Sequence, residues 1–247
     1  MILSCIGPQM NFNHIKMALY ATYLTNRYGL RLKKIDASAE KKRVRLEYAQ
    51  KLLAALRIDV VVKGKEKLPK EGRFLLITNH RSIIDPLVIE VALKETEIFG
   101  LWVSKKELYN SFFFGIFTRN AGSILLDREA KQMSGFFKDI KSGVSEGNSI
   151  FLFPEGTRNK EASDLSEFKE GARIIALKNR LPILPIYIRT NANDVLEAAL
   201  QNRPKQRHSI TVEIGELIDY KERSVDLEEA YRKIFDLDEK VVLEGAL

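Results

Sequence analysis

Apolar residues recur at helical spacing over residues 12–30, where they form two adjacent stripes. Because the stripes are neighbours, they predict a helix whose apolar face is unusually wide and aromatic. The first stripe is Phe12, Ile15, Leu19 and Tyr23, and the second is Met17, Tyr20, Leu24 and Tyr28.

A second helix is predicted over residues 38–56, and the break at 35–37 predicts that the two helices form a hairpin. Apolar and basic residues fall on different sides of this helix, which is typical of an amphipathic segment. The apolar side holds Leu46, Ala49, Leu53 and Leu56, and the other side holds Lys41, Lys42, Arg43 and Arg45.

Near Gly64 the pattern changes to short β-rich runs separated by helical stretches. It predicts an α/β fold, a mostly parallel sheet flanked by helices and preceded by the two-helix hairpin, and we divide the chain into residues 1–57 and 58–247. Ligands of such sheets bind beyond the carboxyl ends of the strands. Predicted strands are 58–63, 73–78, 98–103, 123–126, 149–153, 183–188 and 209–214, and further helices are 86–95, 129–142, 171–180 and 226–236.

Composition narrows the class of protein only modestly. With 45% apolar and 30% charged residues, the 247-residue chain is typical of a globular protein. The single Cys5 excludes an internal disulfide and predicts a reducing compartment, and three dispersed histidines argue against a zinc site. We find no signal-peptide pattern and no spanning-length apolar window, so we expect a cytoplasmic protein that does not cross a membrane.

The net charge of +7 is concentrated in the hairpin, because residues 1–50 hold nine Lys/Arg and three Asp/Glu. This segment predicts an anionic partner, either a membrane surface or a nucleic acid. Its aromatic residues lie on an apolar stripe instead of alternating with the charges, which favours the membrane surface and argues against nucleic acid. The alternative is a pair of core helices with solvated charges.

The stretch Asn79 to Asp85 places a histidine and a carboxylate in the loop after a predicted strand. Asp85 directly precedes Pro86, so we expect Asp85 to be the N-cap of the next helix. A carboxylate held there suits the orientation of a neighbouring imidazole, and His80 and Asp85 are thus a candidate general base and its orienting partner. The alternative is a simple capping aspartate.

Two further loops follow predicted strands at the same edge of the sheet. The strand 123–126 leads to Arg128, with Asp127 as a second expected N-cap, and the strand 149–153 leads to Glu155 and Arg158. Two arginines near a candidate base predict a phosphate-bearing substrate, because the guanidinium group matches phosphate oxygens. The alternative for each arginine is a surface ion pair.

Two other motif classes are set aside. Residues 143–147 match GxSxG, but a helix precedes them and a strand follows, which is the reverse of a nucleophile elbow. Neither GxxxxGK[ST] nor GxGxxG is present, which argues against a nucleotide-dependent enzyme.

At these residues the sequence resembles the glycerolipid acyltransferases, and more closely the 1-acylglycerol-3-phosphate (lysophosphatidic acid) acyltransferases. The resemblance covers about residues 68–188. The chain departs from it at Ser111, where many members have a proline. The matching stretches are Asn79-His80 to Asp85, Gly122 to Arg128, Phe153 to Arg158, Leu181 to Ile186, Lys105 to Leu108 and Phe168 to Ala172.

The resemblance implies acyl transfer from a thioester of acyl carrier protein or coenzyme A to the hydroxyl of lysophosphatidic acid, giving phosphatidic acid, with no other cofactor and no metal. In this interpretation His80 is the base and Asp85 positions it. Residues 1–57 would dock the enzyme on the cytoplasmic face of the cell membrane as a peripheral, monotopic protein, and 58–247 would be the acyltransferase domain. The remaining implied substrate-binding residues are Lys105, Arg128, Glu155, Gly156, Thr157 and Arg158.

Two alternatives within the family stay open. The acceptor could be glycerol 3-phosphate or another lysophospholipid, or the protein could be a catalytically silent lipid-binding relative. The apolar runs at 150–153 and 112–117 are candidate walls of an acyl channel, and for the first a buried strand is the alternative.

Overall fold

A computed structural model describes residues 12–127, 133–161, 163–201, 206–222 and 224–237. Helices and strands alternate through most of these ranges. The helices are α1 (Phe12–Leu32), α2 (Ser38–Ala55), α3 (Asp85–Ala92), α4 (Lys106–Tyr109), α5 (Gly115–Asn120), α6 (Ser134–Ser145), α7 (Gly171–Asn179), α8 (Ala192–Gln201) and α9 (Leu227–Ile234). The strands are β1 (Ile58–Lys63), β2 (Leu75–Thr78), β3 (Gly100–Lys105), β4 (Ser123–Leu126), β5 (Ser149–Leu152), β6 (Ile183–Ile188) and β7 (His208–Ile214).

The strands form one sheet in the order β1-β7-β6-β2-β5-β3-β4. Five neighbouring strands, β6 to β4 in this order, are parallel, and β7 joins them antiparallel through β6. The central strands β2, β5 and β6 are buried along their whole length, as expected for a sheet covered on both faces. The predicted mostly parallel α/β fold with an N-terminal helix pair is confirmed.

The sheet separates two apolar cores. One face packs against α1, α2, α3 and α8, with Leu76 and Phe151 pointing into that layer. The other face packs against α6, α7 and α9, with Leu75 and Ile150 pointing away from the hairpin. Successive residues of a strand point to opposite faces, so the continuous apolar runs in β2 and β5 serve both cores.

Most element predictions are confirmed within a few residues, but α4, α5 and α8 were missed. The helix-then-strand context of residues 143–147 is also confirmed, since α6 ends at Ser145 and β5 begins at Ser149. Gly147 has φ = 92°, a conformation that favours glycine in the turn between them.

Helix α1 exposes its first apolar stripe and buries only part of the second, in which Tyr20 is 38% exposed. Leu24 and Tyr28 of the second stripe are buried in the hairpin-side core. Of the first stripe, Ile15, Leu19 and Tyr23 are 46%, 68% and 58% exposed. Within the ranges that the structure describes, no helix is both long and apolar enough to span a bilayer.

Helix α2 buries Ala49, Leu53 and Leu56 of its predicted apolar side, but Arg45, predicted on the other side, also lies in the core with 2% exposure. Its guanidinium group pairs with the Glu90 carboxylate of α3, and it also donates to the carbonyls of Gly100 and Ala121 at 2.7 and 3.1 Å. The basic side of α2 therefore does not form one uniform exposed face. The division at residue 57 remains a prediction, and α1 and α2 share a continuous core with the sheet.

Candidate active site

His80 and Asp85 lie together in the loop after β2, at the carboxyl edge of the parallel strands. The Nδ1 atom of His80 is 2.8 Å from Oδ2 of Asp85. Asp85 is 1% exposed, whereas the His80 side chain is 18% exposed. The carboxylate is therefore shielded from water while the imidazole has access to a ligand, and Nε2 is the ring nitrogen left to face it.

The predicted N-cap role of Asp85 is wrong in its details. The helix begins at Asp85, with Ile84 in the cap position, and the Asp85 carboxylate turns back into the preceding loop. There Oδ2 accepts the backbone N–H groups of Arg81 and Ser82, both at 2.7 Å. These bonds fix the carboxylate that holds His80. The backbone N–H groups of the short loop therefore position the His80–Asp85 pair.

Glu155 ties the His80 loop to the loop after β5. Its Oε1 atom accepts the backbone N–H of His80 at 2.6 Å, and Oε2 accepts the backbone N–H of Ser166 at 2.7 Å. Its side chain is buried, and this burial raises the pKa of the Glu155 carboxyl group above its usual value. The Asn159 N–H also donates to the His80 carbonyl at 2.7 Å, so two bonds join these loops.

An aromatic stack behind the imidazole was missed by sequence reasoning. Phe153 stacks on His80 with ring centroids 3.8 Å apart and an angle of 14° between the planes. Trp102 in turn stacks on Phe153, with ring centroids 5.2 Å apart, and its indole N–H donates to Glu90 at 2.9 Å. The position of Phe153 at the end of a predicted strand was the available signal, but the run 150–153 was interpreted only as a channel wall or a buried strand, and the second of these is confirmed for residues 150–152.

Asn79 is a second residue whose positioning role was missed. Its side-chain amide is buried and bonds both backbone groups of Ile188, donating to the carbonyl at 3.1 Å and accepting from the N–H at 2.8 Å. The start of the His80 loop is therefore fastened to the carboxyl end of β6. Its place directly before His80 was the signal in the sequence.

Two of the predicted phosphate-binding residues, Lys105 and Arg158, lie at this edge of the sheet. Lys105 ends β3, and Arg158 directly precedes Asn159, whose backbone bonds the His80 loop. Arg128 lies outside the described residues, so its position is left open. Gly156 has φ = 70° in the turn after β5, and Thr157 is exposed. None of these binding roles is tested by the contacts of the described residues.

Two other predictions concern this edge. The Asp127 carboxylate accepts from Nζ of Lys106 at 2.8 Å, and residues 128–132, which it would cap, lie outside the described ranges, so its N-cap role stays a prediction. The run 112–117 is not a continuous channel wall, because Phe112 is 86% exposed. Phe117, in contrast, packs against the hairpin-side core.

A family model described as Acyltransferase matches residues 59–189, just over half of the 247-residue chain. The protein therefore belongs to the Acyltransferase family, which confirms the family expected from the motifs. The matched range contains His80, Asp85, Glu155 and Arg158.

Relatives within this class bear a more particular name. The chain is 36% identical over 118 residues to the 1-acyl-sn-glycerol-3-phosphate acyltransferase of Helicobacter pylori, covering 47% of this chain and 48% of that relative. It is 31% identical over 137 residues to the enzyme of the same name from Bacillus subtilis, covering 56% and 66%. The chain thus spans about half to two thirds of the length of these relatives.

The fold has a counterpart among solved structures. The crystal structure of the 1-acyl-sn-glycerophosphate (LPA) acyltransferase PlsC from Thermotoga maritima superposes with a TM-score of 0.63, covering 90% of this chain and 91% of that one. Sequence identity in this comparison is 22%, so the likeness concerns the fold.

Proposed function

We propose that the protein transfers a fatty acyl group from an acyl thioester to the free hydroxyl of 1-acylglycerol 3-phosphate, with phosphatidic acid as the product. The observation that carries the proposal is the His80–Asp85 pair, joined at 2.8 Å beside a partly open imidazole. Two relatives whose names state this activity support the choice of acceptor.

The Asp85 carboxylate selects the tautomer of His80, because Nδ1 must donate its proton to the carboxylate and leave Nε2 as the base. Nε2 removes the proton from the acceptor hydroxyl as its oxygen attacks the thioester carbonyl carbon. The tetrahedral intermediate then collapses, the carbon–sulfur bond breaks, and the thiolate takes the proton back from His80. No covalent bond to the protein is required.

The acceptor hydroxyl is a weak nucleophile near neutral pH, so His80 contributes to catalysis by activating it. A positioned general base typically accelerates such a step by about 10²- to 10⁴-fold. The stack of Phe153 on the imidazole, at 3.8 Å between centroids, restricts the ring to one plane. The donor would be acyl carrier protein or coenzyme A thioester, and no further cofactor enters the reaction.

The acceptor phosphate would be held by cationic side chains from the surrounding loops, namely Arg158, Lys105 and Arg128. Arginine binds phosphate oxygens with two parallel N–H groups and keeps its charge at every physiological pH. Arg158 is the strongest of these candidates, because Asn159 beside it bonds the backbone of His80. Glu155 would support the acceptor site indirectly, by fixing the backbone of His80.

The acceptor is a lipid, so the enzyme would work as a peripheral, monotopic protein on the anionic cytoplasmic face of the cell membrane. The exposed stripe of Ile15, Leu19 and Tyr23 supports docking through α1. Nearby Arg27 is exposed as well, and a cation near an anionic leaflet adds about 1 kcal/mol to binding.

The test is release of free thiol from acyl carrier protein or coenzyme A thioesters, with and without lysophosphatidic acid. We expect acceptor-dependent release from the wild type, and a loss of about 10²- to 10⁴-fold in kcat for His80→Ala. His208→Ala, a histidine at the start of β7, is the matched control and should retain activity. Full activity of His80→Ala would refute the assignment of the base.

The same assay resolves the acceptor. Arg158→Ala should raise the KM for lysophosphatidic acid and leave kcat less affected, since the residue would bind the phosphate in ground and transition states alike. Glycerol 3-phosphate and lysophospholipids with larger head groups are the comparison acceptors. Faster release with one of these than with lysophosphatidic acid would replace the proposed acceptor. A folded protein that binds lysophosphatidic acid without thiol release would be a silent relative.

A further inference from the structure

The turn between α4 and α5 exposes two adjacent phenylalanine rings. Phe112 is 86% exposed, more than any other large apolar side chain in the described ranges, and Phe113 is 39% exposed. Their rings meet edge to face with centroids 5.4 Å apart, so they form one apolar projection. Paired exposed aromatic rings are unfavourable in water and commonly mark a contact surface.

The backbone of this turn is held in one conformation by local hydrogen bonds. The Ser111 hydroxyl oxygen accepts the N–H groups of Phe113 and Phe114 at 3.2 and 3.3 Å. The N–H of Gly115 donates to the Ser111 carbonyl at 2.8 Å, and Arg119 donates to the carbonyl of Tyr109 at 2.6 Å. The rings are thus presented by a formed turn, which lowers the entropy cost of binding.

The turn is fastened beside α1, the helix with the exposed apolar stripe. The Asn26 amide approaches the Phe113 carbonyl at 3.5 Å, and the Asn120 amide donates to the Gly29 carbonyl at 3.1 Å. Close packing requires glycine at position 29, because a Cβ atom there would lie 2.7 Å from the backbone N of Phe117. The phenylalanine pair therefore continues the apolar surface that Ile15, Leu19 and Tyr23 begin on α1.

The position of the turn relates this surface to the candidate active site. Strand β3 ends at Lys105, at the same carboxyl edge as the His80 loop, and α4 leads directly from it to the turn. Two exposed cations border the apolar surface: Arg27 donates to the Tyr23 hydroxyl at 3.1 Å, and Arg119 donates to the Tyr109 carbonyl at the base of the turn. Apolar rings bordered by cations match the acyl and anionic head-group layers of a bilayer.

We propose that the Phe112–Phe113 turn inserts into the lipid bilayer as a second docking element, separate in sequence from the helical hairpin. The proposal rests on the proposed function, in which the enzyme meets its acceptor at a membrane. A single surface helix is held in rotation about its own axis only by its apolar stripe, whereas a second contact beside it restricts that rotation further. The turn and α1 together orient the carboxyl edge of the sheet, with His80, relative to the lipid surface.

Fluorescence of a single introduced tryptophan tests the insertion directly. Phe112→Trp is mixed with vesicles of phosphatidylcholine and phosphatidylglycerol, with and without brominated acyl chains. Leu217→Trp is the matched control, since Leu217 is also exposed, at 45%, but adjoins Ile218, which pairs with the beginning of β6. We expect a blue shift and bromine quenching for Phe112→Trp and neither change for Leu217→Trp, after subtraction of the wild-type signal of Trp102.

A binding measurement gives the size of the effect. Vesicle sedimentation of Phe112→Ser with Phe113→Ser should fall about tenfold relative to wild type, because two apolar side chains no longer insert. Leu217→Ser should sediment as the wild type does. An unquenched, unshifted signal from the Phe112→Trp variant, in a protein that still sediments, would refute insertion of the turn.

The same measurements separate this proposal from the proposed function. Quenching at position 112 without any acceptor-dependent thiol release would retain the docking turn and overturn the enzymatic assignment. Acceptor-dependent thiol release without quenching at position 112 would retain the enzymatic assignment and overturn the docking turn. A blue shift that appears without vesicles, and with an increase in molecular mass, would show that a second copy of the chain covers the rings and would also refute the proposal.

Discussion

The two helices of the N-terminal hairpin use apolar and charged residues in opposite ways. Helix α1 leaves Leu19 68% exposed, whereas α2 buries Arg45 to 2% exposure. Both helices combine basic and apolar residues, and both were expected to contribute to a docking surface. The difference teaches that the composition of an amphipathic helix does not determine which face it buries. The buried face is determined by the residues elsewhere in the fold that contact each side chain.

Arg45 is where this comparison predicts the largest change. Arg45→Ala leaves Glu90 buried without its cation, and removing one partner of a buried ion pair typically costs about 3–5 kcal/mol. Arg43→Ala is the matched control, since the Arg43 side chain is 72% exposed and its loss should change the free energy of unfolding by less than about 0.5 kcal/mol. Urea unfolding measures both. If both substitutions lowered the free energy of unfolding by the same small amount, the Arg45–Glu90 ion pair would contribute little to the packing of α2 against the rest of the fold.

The partners of Arg45 explain why sequence reasoning missed its burial. Glu90, Gly100 and Ala121 lie 45, 55 and 76 residues further along the chain, so no local pattern brings them to the helix. The strand ends, in contrast, follow from local apolar runs and turn residues, which is why the carboxyl edge with His80 was predictable. The stack of Phe153 on His80 was predictable only in part. The local sequence places Phe153 at the end of a strand, but its contact with His80 depends on how the neighbouring strands pack.

Lys42 should give the second largest effect. Its ammonium group donates to the carbonyls of Leu93, Thr96 and Ile98 after the end of α3, and burial lowers the pKa of Lys42. Lys42→Met removes this donor, and although the Leu93 carbonyl still accepts the N–H and hydroxyl of Thr96, the loss should cost about 1–3 kcal/mol of unfolding free energy. Lys41→Met is the neighbouring control, and thermal unfolding at fixed pH measures both. A neutral Lys42→Met would show that water replaces the ammonium group without loss.

The exposed stripe of α1 should show the reverse behaviour. Ile15→Ser with Leu19→Ser removes apolar groups that are already in water, so the free energy of unfolding should change by less than about 0.5 kcal/mol. Sedimentation with anionic vesicles should fall about tenfold, equivalent to about 1.4 kcal/mol. Val61→Ser, at a 47% exposed position on β1, is the control. Unchanged sedimentation of the double variant would remove α1 from the docking surface.

Substitutions are preferable to deletion of the hairpin for this purpose. Leu24 of α1 and Leu53 of α2 lie in the same core as Leu76 of the sheet. Deletion of residues 1–57 would therefore expose that core, and loss of vesicle binding would then not distinguish docking from unfolding.

The smallest effect is expected where the two helices meet at the surface. Glu47 of α2 accepts from the Tyr28 hydroxyl at 2.7 Å and from Arg31 of α1 at 2.6 Å. The hydrogen bond from Tyr28, followed by that from Lys51, lowers the pKa of Glu47 to about 2 from its usual 4.5. Because the folded state holds this carboxylate ionised, its contribution is present above pH 4.5 and is lost as the pH falls towards 2.

Glu47→Gln should cost less than about 1 kcal/mol near neutral pH, since the carboxylate is partly exposed and solvent screens its pairs. The difference in unfolding free energy from the wild type should shrink as the pH is lowered below 4.5 and vanish near 2. Urea unfolding across this range measures it, with Glu40→Gln as an exposed control on the same helix. A cost as large as that of Arg45→Ala would mean that the surface contact between α1 and α2 contributes as much to stability as the buried ion pair between α2 and α3.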